Sequence, residues 1–185
     1  MAKKIKGKEW YELVAPRLFK NQILGESLVS DPREIKGRSV IRSLSDLGGH
    51  PSKYYVRMKF KVDEIDVENK KIKMKYVGQS CLKDFISQMI RKGSSRIDTV
   101  VKTKTKDNQD IVVKTIGISL RKINTSVKTA LRKEIEEDIL NKVNKMNLDD
   151  FIMSVIKDSF QVQIRKKLNK TYPIRKFEVR KIEIV

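Results

Sequence analysis

With 185 residues and 39% hydrophobic content the chain can bury a core, which excludes disorder throughout. Its 42 lysines and arginines against 23 acidic residues give a formal charge of +19, far beyond what solubility requires. A polyanion relieves such self-repulsion, which points to nucleic acid, with an anionic membrane surface as the competing partner class.

No run approaches the roughly 18 apolar residues of a membrane-spanning helix. The N-terminus, with Lys3, Lys4, Lys6 and Lys8, lacks the apolar core of a signal peptide, so a cytoplasmic protein without a membrane partner is expected. The single cysteine, Cys81, forbids an internal disulfide and falls among Leu82, Phe85 and Met89 as a packed thiol.

Residues 1–20 read as a basic N-terminal extension and 21–185 as one α+β domain, whose first firm element is the strand-like "RSVIRSL" after the turn "DPREIKG", punctuated by Pro32 and Gly37. The next segment alternates without a break. Tyr54, Val56, Met58, Phe60 and Val62 share one face, and Tyr55, Arg57, Lys59 and Lys61 the other. After Asp63 to Asn69 the pattern returns in "KKIKMKY", with Ile72, Met74 and Tyr76 opposite Lys71, Lys73 and Lys75. If the two strands pair antiparallel, six cations share one face. Like charges across a sheet are destabilising, so the face reads as a phosphate contact; the bland alternative is a solvated lysine face that protects an edge.

From Cys81 to Lys92 the apolar spacing is helical, with Gly93 as C-cap and Arg91 and Lys92 in the last turn, where they complement the helix dipole or, through "RKGSSR" to Arg96, grip a phosphate. A second hairpin is predicted from Ile97 to Lys104 and Ile111 to Leu120, joined by "KTKDNQD". Beyond it, Val127, Leu131, Ile135, Ile139 and Val143 recur every four residues, a helical stripe widened by Ala130 and Leu140 and capped by Asn124, Thr125 or Ser126. Lys128, Arg132 and Lys133 crowd its N-terminal half against the dipole preference, which makes sense if phosphates dock beside "LRKINTS". Asn147 caps a further helix with Asp149 and Asp150 in its first turn, apolar to Leu168 and breaking near Asp158 or Ser159; after Pro173, "IRKFEVRKIEIV" alternates as a closing strand. The sum is an α+β fold, a mostly antiparallel sheet curled into a β-barrel-like core with three or four flanking helices.

Catalysis finds few candidates. His50, the only histidine, lies in the turn "LGGHPSK" with no partner at a telling distance. The carboxylate clusters Asp63/Glu64/Asp66, Glu136/Glu137/Asp138 and Asp149/Asp150 each have a structural explanation: a strand-end turn, a helix face and a helix start. "DLGGHP" is neither a P-loop nor a dinucleotide fingerprint. No enzyme, cofactor or metal is expected.

Five segments in order across nearly the whole chain, "KEWYELVAPRLF", "LGESLVSDPREIKGR", "SLSDL", "LRKINTS" and "TYPIRKFEVRKIEIV", resemble the archaeal and eukaryotic small-subunit ribosomal protein family called S-three-A-e, or e-S-one. The resemblance implies a structural, rRNA-binding constituent of the small ribosomal subunit, on the platform near the messenger exit, supporting translation. Implied partners are small-subunit ribosomal RNA, neighbouring platform proteins and, at the exit, messenger RNA; no homo-oligomer is expected. Because the chain stops after its last strand, without the long C-terminal extension of eukaryotic members, it resembles the archaeal type. The alternative class is a free-standing RNA-binding or RNA-chaperone protein.

Lys8, Trp10, Tyr11, Ala15, Pro16 and Phe19 match the family's N-terminal motif. The two aromatics either stack on unpaired bases or pack on the protein's own sheet or a neighbouring ribosomal protein. The expected RNA-binding set is Lys8, Trp10, Tyr11, Arg17, Arg38, Arg57, Lys59, Lys71, Lys73, Arg91, Lys92, Arg96, Arg121, Lys122, Lys128 and Arg132.

Overall fold

In the computed structural model, which describes residues 7–31 and 35–185, the aromatic N-terminal segment is already a strand. β1 (Glu9–Val14) turns Tyr11 and Leu13 inward and Trp10 outward, and a 3-10 turn (Arg17–Phe19) leads to β2 (Ile23–Val29), antiparallel to it. Residues 9–19, read from the sequence within a basic extension, are thus folded. Tyr11, Leu13, Ala15 and Phe19 are buried, and their burial favours the sheet over a solvated tail. The sequence conceals β2 because its parity breaks: Leu24 and Val29 are both buried, and the register against β1 shifts beside Leu24. Gly25 is required there. Its φ is +144°, and an added Cβ would meet the Arg42 guanidinium at 2.6 Å. The lysines at 3, 4 and 6 and the turn residue Pro32 lie outside the described residues.

Contacts divide the chain into two units, Met1–Gly78 and Gln79–Val185. In the first, β3 (Ser39–Ser43) pairs with β4 (Val56–Asp66), β4 with β5 (Lys71–Cys81), and β5 lies parallel to β1, giving the order β2-β1-β5-β4-β3. A four-residue turn joins β4 to β5, which only an antiparallel pair permits. Met58, Phe60 and Ile72 are fully buried, and Phe19, Phe60 and Tyr76 form an aromatic cluster with centroids 5.3–6.2 Å apart. The expected alternation holds from Met58 on but reverses at its start, with Tyr55 buried and Tyr54 56% exposed, because both precede the pleated strand. The expected barrel does not close. Among the described residues the strands of this unit end at β2 and β3, which meet through a side chain, Arg42 Nε donating to Leu24 O at 2.6 Å, and not through a ladder.

The second unit begins with the last residues of β5 and the short helix α1 (Lys83–Met89). This helix is briefer than its apolar spacing predicts: Cys81 ends the strand, its Sγ donating to Val179 O at 3.2 Å, and Ile90 is extended, so Arg91 and Lys92 stand in a turn beyond the helix. β6 (Arg96–Lys104), β7 (Asp110–Ser119) and, after the helices, β8 (Ile174–Ile184) pair antiparallel in the order β6-β7-β8.

Helices α2 (Thr125–Val143), α3 (Leu148–Ile156) and α4 (Ser159–Thr171) cover one face of these strands around Leu131, Ile135, Ile139, Phe151, Phe160 and Ile164. The four-residue stripe on α2 is buried from Leu131 onward, whereas Ala130 and Leu140, expected to widen it, are exposed; Asp138 is buried instead, held by Lys167 of α4. The predicted break between α3 and α4 falls at Asp158, whose φ of 60° ends the helical path. At the start of α3, Asp107 in the β6–β7 turn accepts the backbone N–H of Leu148 at 3.0 Å, filling the capping role expected of Asn147. Alternation in β8 is interrupted twice, at Arg175 and Arg180, where register shifts against β7 insert one extra residue each.

Candidate nucleic-acid interface

The β4–β5 hairpin collects the densest set of predicted cations. Arg57, Lys59 and Lys61 from β4 and Lys71, Lys73 and Lys75 from β5 are all exposed, while the residues alternating with them, Met58, Phe60, Ile72 and Met74, are buried. Period two thus fixes a basic face by burying the other one. Beside it, β3 contributes Ser39 opposite Lys61, Ile41 opposite Lys59 and Ser43 opposite Arg57, so no carboxylate enters from that side. Arg17 adds to the ribbon, its charge opposing protonation of Lys73.

Acids nearby are few: Glu12 of β1 stands beside Lys71 in the parallel register and Asp63 follows Lys61 on β4, both without an ion pair among the described residues, while two others are engaged. Glu64 accepts from Lys73 Nζ at 2.9 Å, and this hydrogen bond raises the lysine's pKa. Asp66 is held below the usual carboxylate range chiefly by the side-chain hydrogen bond from Asn69, at 2.7 Å, in the turn between the strands. The remaining ribbon cations, Arg57, Lys59, Lys61, Lys71 and Lys75, make no ion pair among the described residues.

Other predicted residues of this unit are spread out. Lys8 is exposed before β1, and Arg38 is exposed before β3, its carbonyl accepting from Val62 N at 3.0 Å. Trp10 is 60% exposed and opposite Leu28 across the β1–β2 ladder, with Glu12 opposite Glu26 two residues on. Tyr11 is corrected: at 3% exposure it packs in the core, because consecutive strand residues point to opposite faces, and its ring is not presented to a base.

In the second unit Arg91 and Lys92 are exposed in the turn closed by Ser94, whose Oγ donates to Arg91 O at 2.6 Å. Arg121 and Lys122 are exposed in the connection into α2, Arg132 is exposed one turn from the half-buried Lys128, and Asn124 makes no side-chain cap, which leaves the first-turn N–H groups of α2 without that acceptor. Arg96 is turned to Asp98, Nε to Oδ2 at 2.7 Å, a partner the sequence reading did not assign.

Sequence reasoning passed over Lys83, Lys114, Arg180 and Lys181, which the second unit gathers on one side of its sheet. The signal for two of them was the doublet Arg180–Lys181, which breaks the alternation of β8. His50 accepts from the Ser52 backbone N–H and bonds the Ser52 hydroxyl at 2.7 Å, a turn-capping role. Among the described residues no group of three or more His, Cys, Asp or Glu could hold a metal, and no helix is long and apolar enough to cross a membrane.

Comparison with known proteins agrees with the resemblance read from the motifs. The chain is 32% identical over 186 residues to the small ribosomal subunit protein eS1 of Methanopyrus kandleri, covering 98% of this chain and 87% of that protein. The eS1 protein of Saccharolobus islandicus is 33% identical over 182 residues, covering 98% and 86%, and that of Staphylothermus marinus 32% over the same length, covering 98% and 85%. The model of the Ribosomal S3Ae family matches residues 1–185, and the chain, aligned along its whole length, belongs to that family of non-enzymatic ribosomal proteins.

Proposed function

We propose that this chain is a structural constituent of the small ribosomal subunit that binds small-subunit ribosomal RNA, chiefly by neutralising its phosphates. The observation that carries this reading is the β4–β5 ribbon: six exposed cations over a buried face, with a single ion pair among them. Lysines so placed repel one another in the free protein and gain by meeting a phosphate backbone. Arg17 and Arg38 extend the contact in the first unit, and Arg91, Lys92, Arg121, Lys122, Lys128 and Arg132 contribute from the second.

Placement on the platform near the messenger exit, with messenger RNA within reach there and a cytoplasmic location, follows from the family resemblance. Trp10 fits a neighbouring subunit protein better than RNA. Its ladder partner is Leu28, and the next pair on that face, Glu12 with Glu26, is acidic and lies between Trp10 and Lys71 of β5, which favours a protein neighbour over a phosphate at Trp10 itself.

Two measurements test the reading. In a magnesium-containing sucrose gradient of host lysate with a salt wash, the chain is expected at one copy per small subunit; recovery near the top would favour a free-standing RNA-binding protein. With isolated protein on small-subunit RNA, engagement of about six to ten phosphates predicts a loss of roughly three to five decades in affinity between about 50 and 200 mM salt. A flat salt dependence would overturn phosphate neutralisation as the source of affinity.

A further inference from the structure

On the face of the second unit's sheet away from α2, α3 and α4 lies a groove of about 640 Å³, walled by α1, by the last residues of β5 and by the strands β6, β7 and β8. Five cations line it: Lys83 of α1, Arg96 of β6, Lys114 of β7, and Arg180 and Lys181 of β8.

Three features set this groove apart from a solvated basic surface. Lys114 and Lys181 face each other directly across the β7–β8 ladder, an arrangement that costs stability unless an anion intervenes. One carboxylate serves both, Glu183, at 2.6 Å from Lys114 and 2.5 Å from Lys181, and the two hydrogen bonds hold it below the usual carboxylate range. With Asp98 on Arg96, only two carboxylates answer five cations, and Lys83 and Arg180 have no ion pair among the described residues. Charge in a concave site is screened less than on an open face, so this surplus is a stronger anion attractor than its count suggests.

The register supplies the third feature. Residues 180 and 181 would point to opposite faces in a regular strand, yet both line the groove, because the bulge at Arg180 inserts one residue against the step from Lys114 to Thr115. A bulge that turns a second cation into an already crowded site weakens the free protein and makes sense where an anion binds. Hydroxyls of Ser80 and Ser87 and the apolar side of Ile86 complete the lining, a mixture suited to a sugar and not to inorganic phosphate alone.

We propose that this groove holds a nucleotide of a single-stranded RNA segment, its phosphate between Lys83 and Arg180 and its ribose against the Ser80 and Ser87 side. The volume falls in the range of about 300–1,000 Å³ typical of sites that enclose small ligands, which admits one or two nucleotides. The proposal rests on the RNA-binding role set out above and adds a grooved contact to the flat ribbon.

Cys81, the chain's single cysteine, lines the same groove and serves as its reporter. The test measures alkylation of Cys81 by iodoacetamide in the full chain, with and without a single-stranded pyrimidine RNA octamer whose binding is followed by fluorescence anisotropy. Bound octamer is expected to slow alkylation severalfold, and the double variant Lys83→Ala, Arg180→Ala to lose that protection with about a tenfold drop in octamer affinity. The charge-preserving pair Lys83→Arg, Arg180→Lys, expected to keep most of the protection, separates a lost contact from a lost fold. Lys59→Ala with Lys71→Ala should weaken octamer binding yet leave Cys81 protected at saturation. Octamer that binds while Cys81 reacts at its unprotected rate overturns the groove and leaves the ribbon reading standing. Cytidine monophosphate or inorganic phosphate protecting as well as the octamer, at equal concentration, overturns an RNA strand in favour of a small phosphate ligand. Absence of any octamer binding overturns both readings.

Discussion

The two units treat sheet-borne cations in opposite ways. On the β4–β5 ribbon six cations share one ion pair, Lys73 with Glu64, whereas on the side of β6, β7 and β8 where α1 packs most cations hold a carboxylate: Arg96 with Asp98, Lys114 and Lys181 with Glu183, Lys176 with Glu178. The ribbon stands in water, where high dielectric and salt make self-repulsion cheap, so it can wait for its polyanion uncompensated. In the groove of the second unit the same density needs carboxylates to be tolerable before any ligand arrives. Cations that lack partners on an open face mark a contact made by charge alone; cations partly compensated in a hollow mark one made by charge and shape.

The sharpest way to break the first half of this contrast is to remove what backs the ribbon. Phe60 is fully buried beneath it, and Phe60→Ala should cost about 3–5 kcal/mol of stability, read as a lowered urea midpoint. RNA affinity should fall with it if the lysines act only when the pleat holds them on one face. Replacing Arg57, Lys59, Lys61 and Lys71 together by alanine should leave the urea midpoint unchanged or raised, while the slope of log affinity against log salt becomes shallower by about three to four units. An unchanged slope would mean that the ribbon is a solvated face and the affinity lies elsewhere.

Smaller effects sharpen the second half. Glu183→Gln should lower stability by a few tenths to about 1 kcal/mol, since the pairs are partly exposed and screened, and Glu64→Gln by less. The pH dependence has a definite sign. Because the folded pKa of Glu183 lies below its unfolded value near 4.5, its contribution is present above that value and is lost as pH falls through the depressed folded pKa. Glu183→Gln should therefore flatten the acid limb of a stability curve in that window, an outcome that chemical denaturation at several pH values would check.

How much of this was legible depended on whether one period survived in the sequence. The β4–β5 and β6–β7 hairpins and the stripe of α2 keep a period of two or four over enough residues to be read, and the existence of a strand after Pro173 was legible from its composition. β1 kept its alternation too, but Trp10 and Tyr11, adjacent and both aromatic, read as one feature when they lie on opposite faces. Parity failed in β2 at the shift beside Leu24 and in β8 at Arg175 and Arg180, and there the strand or its facing was lost. α1 was overextended because Cys81 and Ile90, apolar at helical spacing, belong to a strand end and an extended residue. The groove was out of reach for a different reason. Its five cations come from four elements spread between residues 83 and 181, and no local window contains more than two of them.

The place of β8 in the second unit carries a consequence for how the chain is made. β8 supplies Ile174, Phe177, Val179 and Ile182 to the core and the ladder partner of β7, yet it follows Ser119 only after three helices. At synthesis rates of about 5–20 residues per second, the roughly 65 residues from Ser119 to Ile184 take on the order of several seconds. Throughout that interval one edge of β7 displays its amide and carbonyl groups unpaired, and the helices emerge over a core still missing a wall. Vectorial synthesis therefore leaves this unit incomplete until its final strand appears, so truncation anywhere in β8 should yield an aggregation-prone nascent chain and not a smaller folded protein.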